Sequence, residues 1–259
     1  MPSGSSAPAP VEVRGVTIAY GSFVVQRDLS FDVKPGEILV IMGGSGCGKS
    51  SLLRVMNGLV APAAGDVLIT GKSLWQTDDE GRQRLMQRFG MLYQMGALWS
   101  SMTLLENVAL PLGEFTDLTP AQVREVAALK LALVGLAGFE DFSPSEISGG
   151  MRKRAGLARA MALDPDILYL DEPSAGLDPV SSRLLDDLIL SLRDSLGCTV
   201  VIVTHELPSI FGIGDSAVYL DAETRTISAR GNPKQLLEEC RDPKVHAFLT
   251  RSQPGAAPS

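Results

Sequence analysis

Residues 43–50, GGSGCGKS, set the type of fold that this 259-residue chain is expected to adopt. The apolar run EILVIM precedes them, and KSSLLRVMNGL, with apolar residues at helical spacing and a glycine near its end, follows. The sequence therefore predicts a strand, a glycine-rich loop and a helix in that order. In that setting GxxxxGK[ST] is typical of a phosphate-binding loop, since glycines let a phosphate approach N–H groups at the positive end of a helix dipole. A glycine-rich turn without a ligand is the alternative.

This loop predicts binding of ATP with Mg²⁺. We expect the N–H groups of residues 46–48 to surround the β-phosphate, Lys49 to place its charge at the β and γ oxygens, and Ser50 to bind the metal. Because Cys47 lies at a helix N-terminus beside a lysine, we expect a lowered pKa for its thiol, and alkylation there is expected to block nucleotide binding. The nucleotide-binding residues of this segment are expected to be Gly43, Gly44, Ser45, Gly46, Cys47, Gly48, Lys49, Ser50 and Ser51.

Two carboxylates, Asp171 and Glu172, follow the apolar run DILYL. They come at the carboxyl end of a predicted strand, where open α/β sheets bind ligands. We expect Asp171 to hold Mg²⁺ through its water shell and Glu172 to polarise the attacking water, because phosphoryl transfer needs positioning and charge neutralisation. His205 ends the run CTVVIVT and is expected to contact the γ-phosphate. The alternatives are a solvated Asp-Glu turn and a structural histidine, and His246 is expected on the surface.

The overall composition, 45% hydrophobic and 20% charged, is that of an ordinary globular protein. A net charge of -7 argues against nucleic acid as the main partner, because its phosphate backbone requires a concentrated positive surface. The three cysteines are far apart, which predicts neither a disulfide framework nor a zinc site and favours a reducing compartment. The apolar runs have the length of strands and not of membrane spans. The two ends, residues 1–10 and 251–259, are expected to be disordered tails.

The order of these patterns predicts an α/β fold with a mostly parallel sheet. Alternating apolar and polar residues from 11 to about 73 predict an N-terminal set of antiparallel strands, interrupted by the strand before the glycine-rich loop. The next long segment is expected to be an inserted, almost wholly helical lobe. The expected boundaries are a core of residues 11–94 and 164–231, a helical lobe of residues 95–163 and C-terminal helices of residues 232–250, within one domain of residues 11–250.

Several helix ends are marked in the sequence. Thr103 with Glu106, and Thr119 with Gln122, have the spacing of capping boxes, so helices are expected to begin at these threonines. Residues 178–197 are expected to hold a helix that Asp-Pro opens and a glycine closes.

Together these residues resemble the ATP-binding cassette (ABC) ATPases, from Val11 to about Leu249. The segment ISGGMRKR resembles the signature sequence of that family, usually Leu-Ser-Gly-Gly-Gln. Two subunits of that family face each other head to tail. The resemblance therefore implies a homodimer in which the helix end at Ser148, Gly149 and Gly150 binds the γ-phosphate held by the loop of the other subunit.

The resemblance also implies roles for single residues. Tyr20 resembles the aromatic residue that stacks on adenine, with a strand-face tyrosine as the alternative. Gln94 resembles a glutamine that senses Mg²⁺ and links the catalytic site to a membrane partner, with an ordinary strand-end amide as the alternative. Residues 175–178 resemble the loop that contacts the opposite subunit, and Asp178 is equally well placed to cap the helix that follows.

The signature segment departs from the family at Met151, where glutamine is usual. Methionine cannot donate a hydrogen bond, so phosphate contact there must rest on the preceding serine, backbone N–H groups and the helix dipole. The basic run Arg152, Lys153 and Arg154 follows it. Three charges at one end of a helix in an acidic protein predict a solvated face, and no nucleic acid or other partner is assigned to them.

Residues 94–112, QMGALWSSMTLLENVALPL, closely resemble the ATPases of MCE-type phospholipid transport systems, as does DPKVHAFL near the C-terminus. The segment places Leu98, Trp99 and Met102 where this family receives the coupling helix of a permease, with filling of the lobe's core as the alternative. The resemblance implies a peripheral subunit on the cytoplasmic face of the bacterial inner membrane. It would contact a permease near Gln94 and these three residues, have an MCE-domain protein in the same complex, and drive phospholipid transport between the inner and outer membranes. An ATPase of a small-solute importer and a soluble iron–sulfur assembly ATPase are the alternatives.

Overall fold

A computed structural model of the protein describes residues 8–252. Of the two predicted tails, residues 1–7 and 253–259 lie outside the described residues. The strands are β1 (Val11–Tyr20), β2 (Phe23–Val33), β3 (Ile38–Gly43), β4 (Ala64–Ile69), β5 (Lys72–Ser73), β6 (Phe89–Leu92), β7 (Ile167–Asp171), β8 (Thr199–Val203), β9 (Ser216–Asp221) and β10 (Thr226–Gly231). The helices are α1 (Lys49–Met56), α2 (Asp79–Met86), α3 (Leu104–Phe115), α4 (Pro120–Leu133), α5 (Gly149–Ala160), α6 (Pro179–Leu196), α7 (Leu207–Ile213), α8 (Pro233–Glu239) and α9 (Pro243–Thr250).

The strands form two sheets. Four of them, in the order β2-β1-β4-β5, make an antiparallel sheet, as the alternating pattern of the N-terminal segment predicts. The other six, in the order β10-β9-β3-β8-β7-β6, make a sheet in which all neighbours are parallel except β9 and β10. The predicted α/β fold with a mostly parallel core sheet is therefore confirmed.

The six-stranded sheet brings the predicted site residues to one edge. In its register Ile41 pairs with Val203, and Asp171 pairs with the same Val203 from the other side. The glycine-rich loop, Asp171 and His205 thus leave the sheet at the carboxyl ends of three neighbouring strands. Parallel pairing places all such ends on the same edge, which is where ligands bind in open α/β sheets.

Strand β3 lies at the centre of the core, and other elements pack on both of its faces. All six of its residues are buried. Leu39 and Ile41 pack into the apolar cluster shared with α1 and the antiparallel sheet, whereas Val40 and Met42 pack into the cluster under α7, α8 and α9. This two-residue alternation explains why the run EILVIM is apolar throughout, as expected of a parallel strand that is buried on both sides.

The segment expected to be almost wholly helical, residues 95–163, contains α3, α4 and α5 but begins with a nonhelical loop, residues 95–103. The buried side chain of Asn107 holds this loop in place. It accepts a hydrogen bond from the Trp99 N–H at 2.7 Å and donates to the carbonyl oxygens of Trp99 at 3.1 Å and Thr103 at 2.9 Å. These bonds satisfy backbone groups that a helix would otherwise pair, so the loop is stable without helical structure.

The predicted helix starts are present. Thr103 and Thr119 each form a complete capping box, in which the side chain of Glu106 or Gln122 accepts a hydrogen bond from the threonine N–H. Asp178 caps α6, and Gly197 ends it in a left-handed conformation. Helix α2 has no predicted counterpart because it buries only Leu85 and carries no apolar stripe in its sequence. Within residues 8–252, the helices lack the length and apolarity that crossing a bilayer requires.

Strand β6 and helix α5 approach so closely that no side chain fits between them at Gly90. A Cβ atom there would overlap the backbone carbonyl of Ala160. One turn earlier on α5, a Cβ atom at Gly156 would lie 3.1 Å from the Cα of Gly96. The helix therefore packs backbone against backbone on β6 and on the loop that follows it.

Substitution of Gly90 is expected to reduce stability. Gly90→Ala should lower the free energy of unfolding by about 1–3 kcal/mol, since neither the strand nor the helix backbone can move without disturbing a packed core. Gly113→Ala is the matched control, because Gly113 lies in α3 and an added Cβ would meet nothing within 4 Å. It should raise stability by up to about 1 kcal/mol. Urea denaturation followed by circular dichroism measures both, and equal stability of Gly90→Ala and wild type would contradict the tight contact.

Candidate active site

The glycine-rich loop connects the buried end of β3 to the first turn of α1. Gly48 has a φ of 97°, and a Cβ atom there would lie 2.6 Å from the Val25 side chain, so this position requires glycine. The Nζ atom of Lys49 lies 2.9 Å from the carbonyl oxygens of both Gly43 and Gly44. The ammonium group is therefore held at the mouth of the loop, where the N-terminus of α1 adds further positive potential.

A cleft of about 620 Å³ lies over this loop, and we call it the phosphate-loop cleft. It brings together most of the predicted site residues and three side chains that were not predicted, Phe23, Val25 and Phe248. The predicted residues that line it are Gly43, Gly44, Ser45, Gly46, Gly48, Lys49, Ser50, Ser51, Gln94, Glu172 and His205.

Tyr20 lies at the rim of this region and not in its lining. Its hydroxyl group is 3.3 Å from the Oγ atom of Ser51, and its ring is half exposed. Phe23, across the hairpin turn from Tyr20, is 59% exposed and has the guanidinium of Arg225 5.1 Å from its ring centroid. Two aromatic rings are thus available beside the loop, and the sequence signal for the second was the short turn that separates it from Tyr20.

Ser50 lines the cleft, and Asp171 lies beside it without being part of the lining. The Ser50 hydroxyl lies 3.5 Å from the Asp171 carboxylate. Burial raises the pKa of Asp171, and the neighbouring charge of Glu172 acts in the same direction, while the Ser50 hydroxyl and the cation of Arg54 oppose the shift. Two carboxylates at a partly buried strand end favour a cation beside them.

The oxygen ligands present fit Mg²⁺ better than a metal that requires a protein cage. Within residues 8–252 there is no cluster of three or more His, Cys, Asp or Glu side chains that could hold a metal ion. Mg²⁺ is usually bound by one or two protein oxygens with phosphate oxygens and water completing its shell. Ser50 and Asp171 supply such a partial set next to the phosphate loop.

Glu172 and His205 form a hydrogen-bonded pair at the same edge. The His205 Nδ1 atom lies 2.8 Å from the Oε1 atom of Glu172. The other carboxylate oxygen, Oε2, is buried and has no hydrogen-bond partner. Glu172 also has a φ of 47°, a left-handed conformation that is rare for a residue with a Cβ atom. Unsatisfied buried acceptors and strained backbone of this kind are found preferentially at functional sites.

The basic run after the signature segment is not a solvated face, so that prediction is wrong. Lys153 is 6% exposed, and its ammonium donates hydrogen bonds to the carbonyl oxygens of Gln94 and Glu172. Arg152 and Arg154 are half-buried and also donate to backbone carbonyls. The tertiary fold supplies acceptors for all three side chains, which the local charge pattern does not show.

The prediction of an activated Cys47 thiol is also wrong. Cys47 is fully buried, and burial raises the pKa of its thiol despite the opposing positive charge of Lys49. The carbonyl oxygen of Cys47 accepts a hydrogen bond of 2.7 Å from the buried side chain of Gln26, which holds the loop from behind. Cys47 therefore contributes backbone and packing and presents no reactive thiol to the cleft.

The signature segment lies apart from the phosphate-loop cleft of its own chain. The exposed side chain of Ser148 caps α5 by accepting a hydrogen bond of 3.2 Å from the Met151 N–H. Ser148 and Gly150 line a separate groove together with Leu133 and Leu184. Gly149 begins the helix beside them. Asp178 directly precedes α6, the helix that contributes Leu184 to this groove. Its carboxylate accepts hydrogen bonds of 3.0 Å from the N–H groups of Val180 and Ser181.

The 95–103 loop presents apolar side chains to the surface. Met95 is 82% exposed and Trp99 is 58% exposed, whereas Leu98 and Met102 are half-buried. Gln94, at the start of the loop, has an exposed side chain and lines the phosphate-loop cleft. The loop thus connects the cleft to an exposed apolar surface. His246, which was expected at the surface, is half-buried on α9.

Comparison with known sequences gives consistent matches. The profile of the ABC transporter family matches residues 26–175. The chain is 38% identical to the intermembrane phospholipid transport system ATP-binding protein MlaF of Haemophilus influenzae, over 95% of this chain and 92% of that protein. It is 39% identical to MlaF of Escherichia coli K12, over 96% and 91%. The probable ribonucleotide transport ATP-binding protein mkl of Mycobacterium leprae is 40% identical, over 92% of this chain and 68% of that protein.

Solved structures agree with these sequence matches. A dimeric ATP-binding cassette in a post-hydrolysis state, bound to ADP and Pi, is similar with a TM-score of 0.78 and 29% identity, covering 86% of this chain and 98% of that one. The protein cbiO1 of Clostridium perfringens, part of the ABC transporter complex cbiONQ, is similar with a TM-score of 0.81 and 26% identity, covering 90% and 92%.

The burial of Cys47 predicts slow modification of its thiol in the native chain. A water-soluble maleimide should label the half-buried Cys240 first, and Cys47 and Cys198 only on the time scale of unfolding, because both of the latter are buried. Mass spectrometry of peptides taken at successive times measures the order. Denatured protein, in which all three should react together, is the control, and rapid native labelling of Cys47 would contradict its burial.

Proposed function

The chain belongs to the ABC transporter family and is an ATPase of that family, and we propose that it drives phospholipid transport between two membranes as the ATP-hydrolysing subunit of a transporter. The supporting observation is its similarity to MlaF over nearly the full length of both proteins. The working unit would be two copies of this chain beneath a membrane permease, with an MCE-domain protein in the same complex. This places the subunit at the cytoplasmic face of the bacterial inner membrane.

A second substrate class has a specific observation in its favour. The mycobacterial relative named for ribonucleotide transport has about the same identity to this chain as MlaF has. Identity alone therefore does not separate a phospholipid from a nucleotide as the cargo. The match in length favours the phospholipid, because this chain covers 92% of the MlaF protein from Haemophilus influenzae and 68% of the mycobacterial one.

The phosphate-loop cleft supports the following roles for ATP binding. The N–H groups of residues 46–48 would surround the β-phosphate, and Lys49 would neutralise the β and γ oxygens. Ser50 and Asp171 would hold Mg²⁺, Asp171 through a water molecule. The ion, when bound, neutralises charge that develops on the phosphate oxygens. Gln94 lines the same cleft and would complete the metal's surroundings. The remaining residues of this nucleotide site would be Tyr20, Gly43, Gly44, Ser45 and Ser51.

Glu172 and His205 would act on the attacking water and the γ-phosphate. The hydrogen bond between His205 Nδ1 and Glu172 Oε1 fixes the carboxylate and leaves Oε2 without a partner. A water molecule in line with the γ-phosphate would supply the missing donor, and Glu172 would polarise it. His205 is more than half exposed, and its other ring nitrogen, Nε2, lies 3.7 Å from the Glu206 carboxylate, from which it would turn to the γ-phosphate.

The separation of the signature segment from this cleft supports a head-to-tail dimer. Ser148, Gly149 and Gly150 present the positive end of a twelve-residue helix away from their own phosphate loop. In the proposed dimer this helix end meets the γ-phosphate held by the other copy. Residues 175–178 would lie at the same interface, with Asp178 also capping α6.

Replacement of the proposed catalytic carboxylate tests this dimer. Glu172→Gln should abolish ATP hydrolysis and trap a dimer with ATP and Mg²⁺, because the amide keeps the size of the side chain but does not polarise water. Size-exclusion chromatography with light scattering measures the mass, and Ser148→Arg in the same background is the control that blocks the interface. A Glu172→Gln chain that stays monomeric with ATP and Mg²⁺ would rule out the head-to-tail arrangement.

Affinity purification of the tagged chain from detergent-solubilised native membranes tests the transport function. We expect a permease, an MCE-domain protein and enriched phospholipid by mass spectrometry. Trp99→Glu should remove the permease but retain ATP binding, because it places a charge in the exposed apolar surface. Phe115→Glu is the matched control, since Phe115 is 51% exposed at the far end of α3. Copurification with a solute-binding protein, or with soluble partners only, would overturn the phospholipid assignment.

A further inference from the structure

We propose that Lys153 is a positioning residue. It connects the main chain of Glu172 to helix α5, which carries the signature segment, and to Gln94, which precedes the 95–103 loop. The inference rests on the proposed function, since it assigns Glu172 to the hydrolytic step and α5 to the dimer interface. Lys153 does not itself line the phosphate-loop cleft, but it bonds to the backbone of two residues that do. Its effect would pass through two backbone carbonyl groups.

Lys153 has a buried ammonium group that is hydrogen-bonded to backbone carbonyl groups. It is 6% exposed, and burial lowers the pKa of its ammonium, while the negative charges of Glu172 and Asp171 oppose that shift. A buried ammonium is costly unless hydrogen bonds and nearby opposite charges compensate for the lost water. Here the compensating groups are the carbonyl oxygens of Gln94 and Glu172, the latter at 2.9 Å.

The contact with Glu172 bears on an unusual backbone conformation. Glu172 has a φ of 47°, which a residue with a side chain keeps only when its neighbours hold it. Its N–H donates to the carbonyl of Val203 at 2.8 Å, and its carbonyl accepts from Lys153. The residue is therefore held at both ends, by β8 on one side and by α5 on the other. The carbonyl also accepts a hydrogen bond of 3.2 Å from the Ala175 N–H within the same turn, so loss of the Lys153 bond would release Glu172 from α5 and allow the carboxylate to move with that turn.

Helix α5 makes further contacts with the backbone of the 95–103 loop. Arg159 donates to the carbonyl oxygens of Ala97 at 2.6 Å and Gly96 at 3.1 Å. Gly156 packs against Gly96 with no room for a side chain. Lys153 adds the bond to Gln94 at the start of the loop. The loop and the helix are therefore expected to move as one body.

This arrangement gives Lys153 a position between the two ATP sites to which one chain would contribute in the proposed dimer. Ser148 caps α5, and Lys153 lies five residues further on, about 7.5 Å along the helix axis. A shift of the helix end toward the partner's γ-phosphate would carry the Lys153 ammonium with it. The Glu172 carbonyl would follow, so the engagement of one ATP site would align the catalytic carboxylate of the other.

Kinetics of three variants test the assignment, in the tagged full-length chain purified with its copurifying membrane proteins. Lys153→Met keeps the length of the side chain and removes the donor. Lys153→Arg keeps two donors and the charge. Lys130→Met is the matched control, because Lys130 is also a buried lysine, 4% exposed, but it belongs to the helical lobe and its ammonium pairs with Asp164.

We expect Lys153→Met to lower kcat for ATP hydrolysis by about tenfold or more while KM for ATP changes less than about twofold, because the phosphate loop is untouched. Lys153→Arg should recover most of the lost kcat, and Lys130→Met should keep the wild-type value. Thermal denaturation of each variant gives the folded fraction to which kcat is referred. If Lys153→Met does not fold, Lys153→Gln replaces it, since the amide retains N–H donors on a shorter, uncharged side chain and should give an intermediate kcat.

The outcomes separate this proposal from the function on which it rests. A wild-type preparation that does not hydrolyse ATP would overturn both. An active wild type with an equally active Lys153→Met variant would overturn the positioning role alone. A loss of kcat that is the same in Lys153→Met and Lys130→Met would identify a general effect of a buried lysine on stability and would overturn the role. A Lys153→Arg variant as slow as Lys153→Met would also overturn it.

Discussion

Parallel pairing of β3, β8 and β7 is the constraint on which the candidate site depends. Residues that are far apart along the chain meet because parallel strands in register end at the same edge. The phosphate loop follows the first of these strands, the Asp171–Glu172 pair the third, and His205 the second. A shift of one residue in either pairing would exchange the side chains on the two buried faces of the strand, so the packing of the core and the geometry of the cleft are set by the same hydrogen bonds.

The residues of the candidate site belong to two parts of the fold, the central sheet and the helical layer that packs on it. The phosphate loop and the two carboxylates belong to the central sheet, whose strands are buried on both faces. The signature helix and the 95–103 loop belong to a layer that packs on one side of that sheet. Contacts through backbone atoms, at Gly90 with Ala160 and at Gly156 with Gly96, join the two. A movement that begins at the helix would therefore reach the edge of the sheet through close-packed backbone atoms as well as through the buried Lys153 side chain.

The parts of the molecule that were predictable from sequence are those with a local physical cause. A glycine loop between a strand and a helix, and threonines three residues before a Glu or Gln, depend on a few adjacent residues, and the structure contains them. The basic run and Cys47 were predicted wrongly, because burial by distant segments determines the surroundings of Lys153 and of the thiol. The nonhelical 95–103 loop was missed for a similar reason. Its backbone is held by the Asn107 amide of the following helix and by Arg159 of α5, and the sequence of the segment itself does not reveal these contacts.

Asn107 has a further consequence for recognition. Its amide fixes the loop backbone around Trp99 from inside the protein, so the exposed indole stands on a support that forms during folding. Docking of another protein onto such a support requires little ordering of main chain, which lowers the entropic cost of association. In the proposed complex, affinity at this surface would vary through the exposed side chains alone, without any rebuilding of the loop.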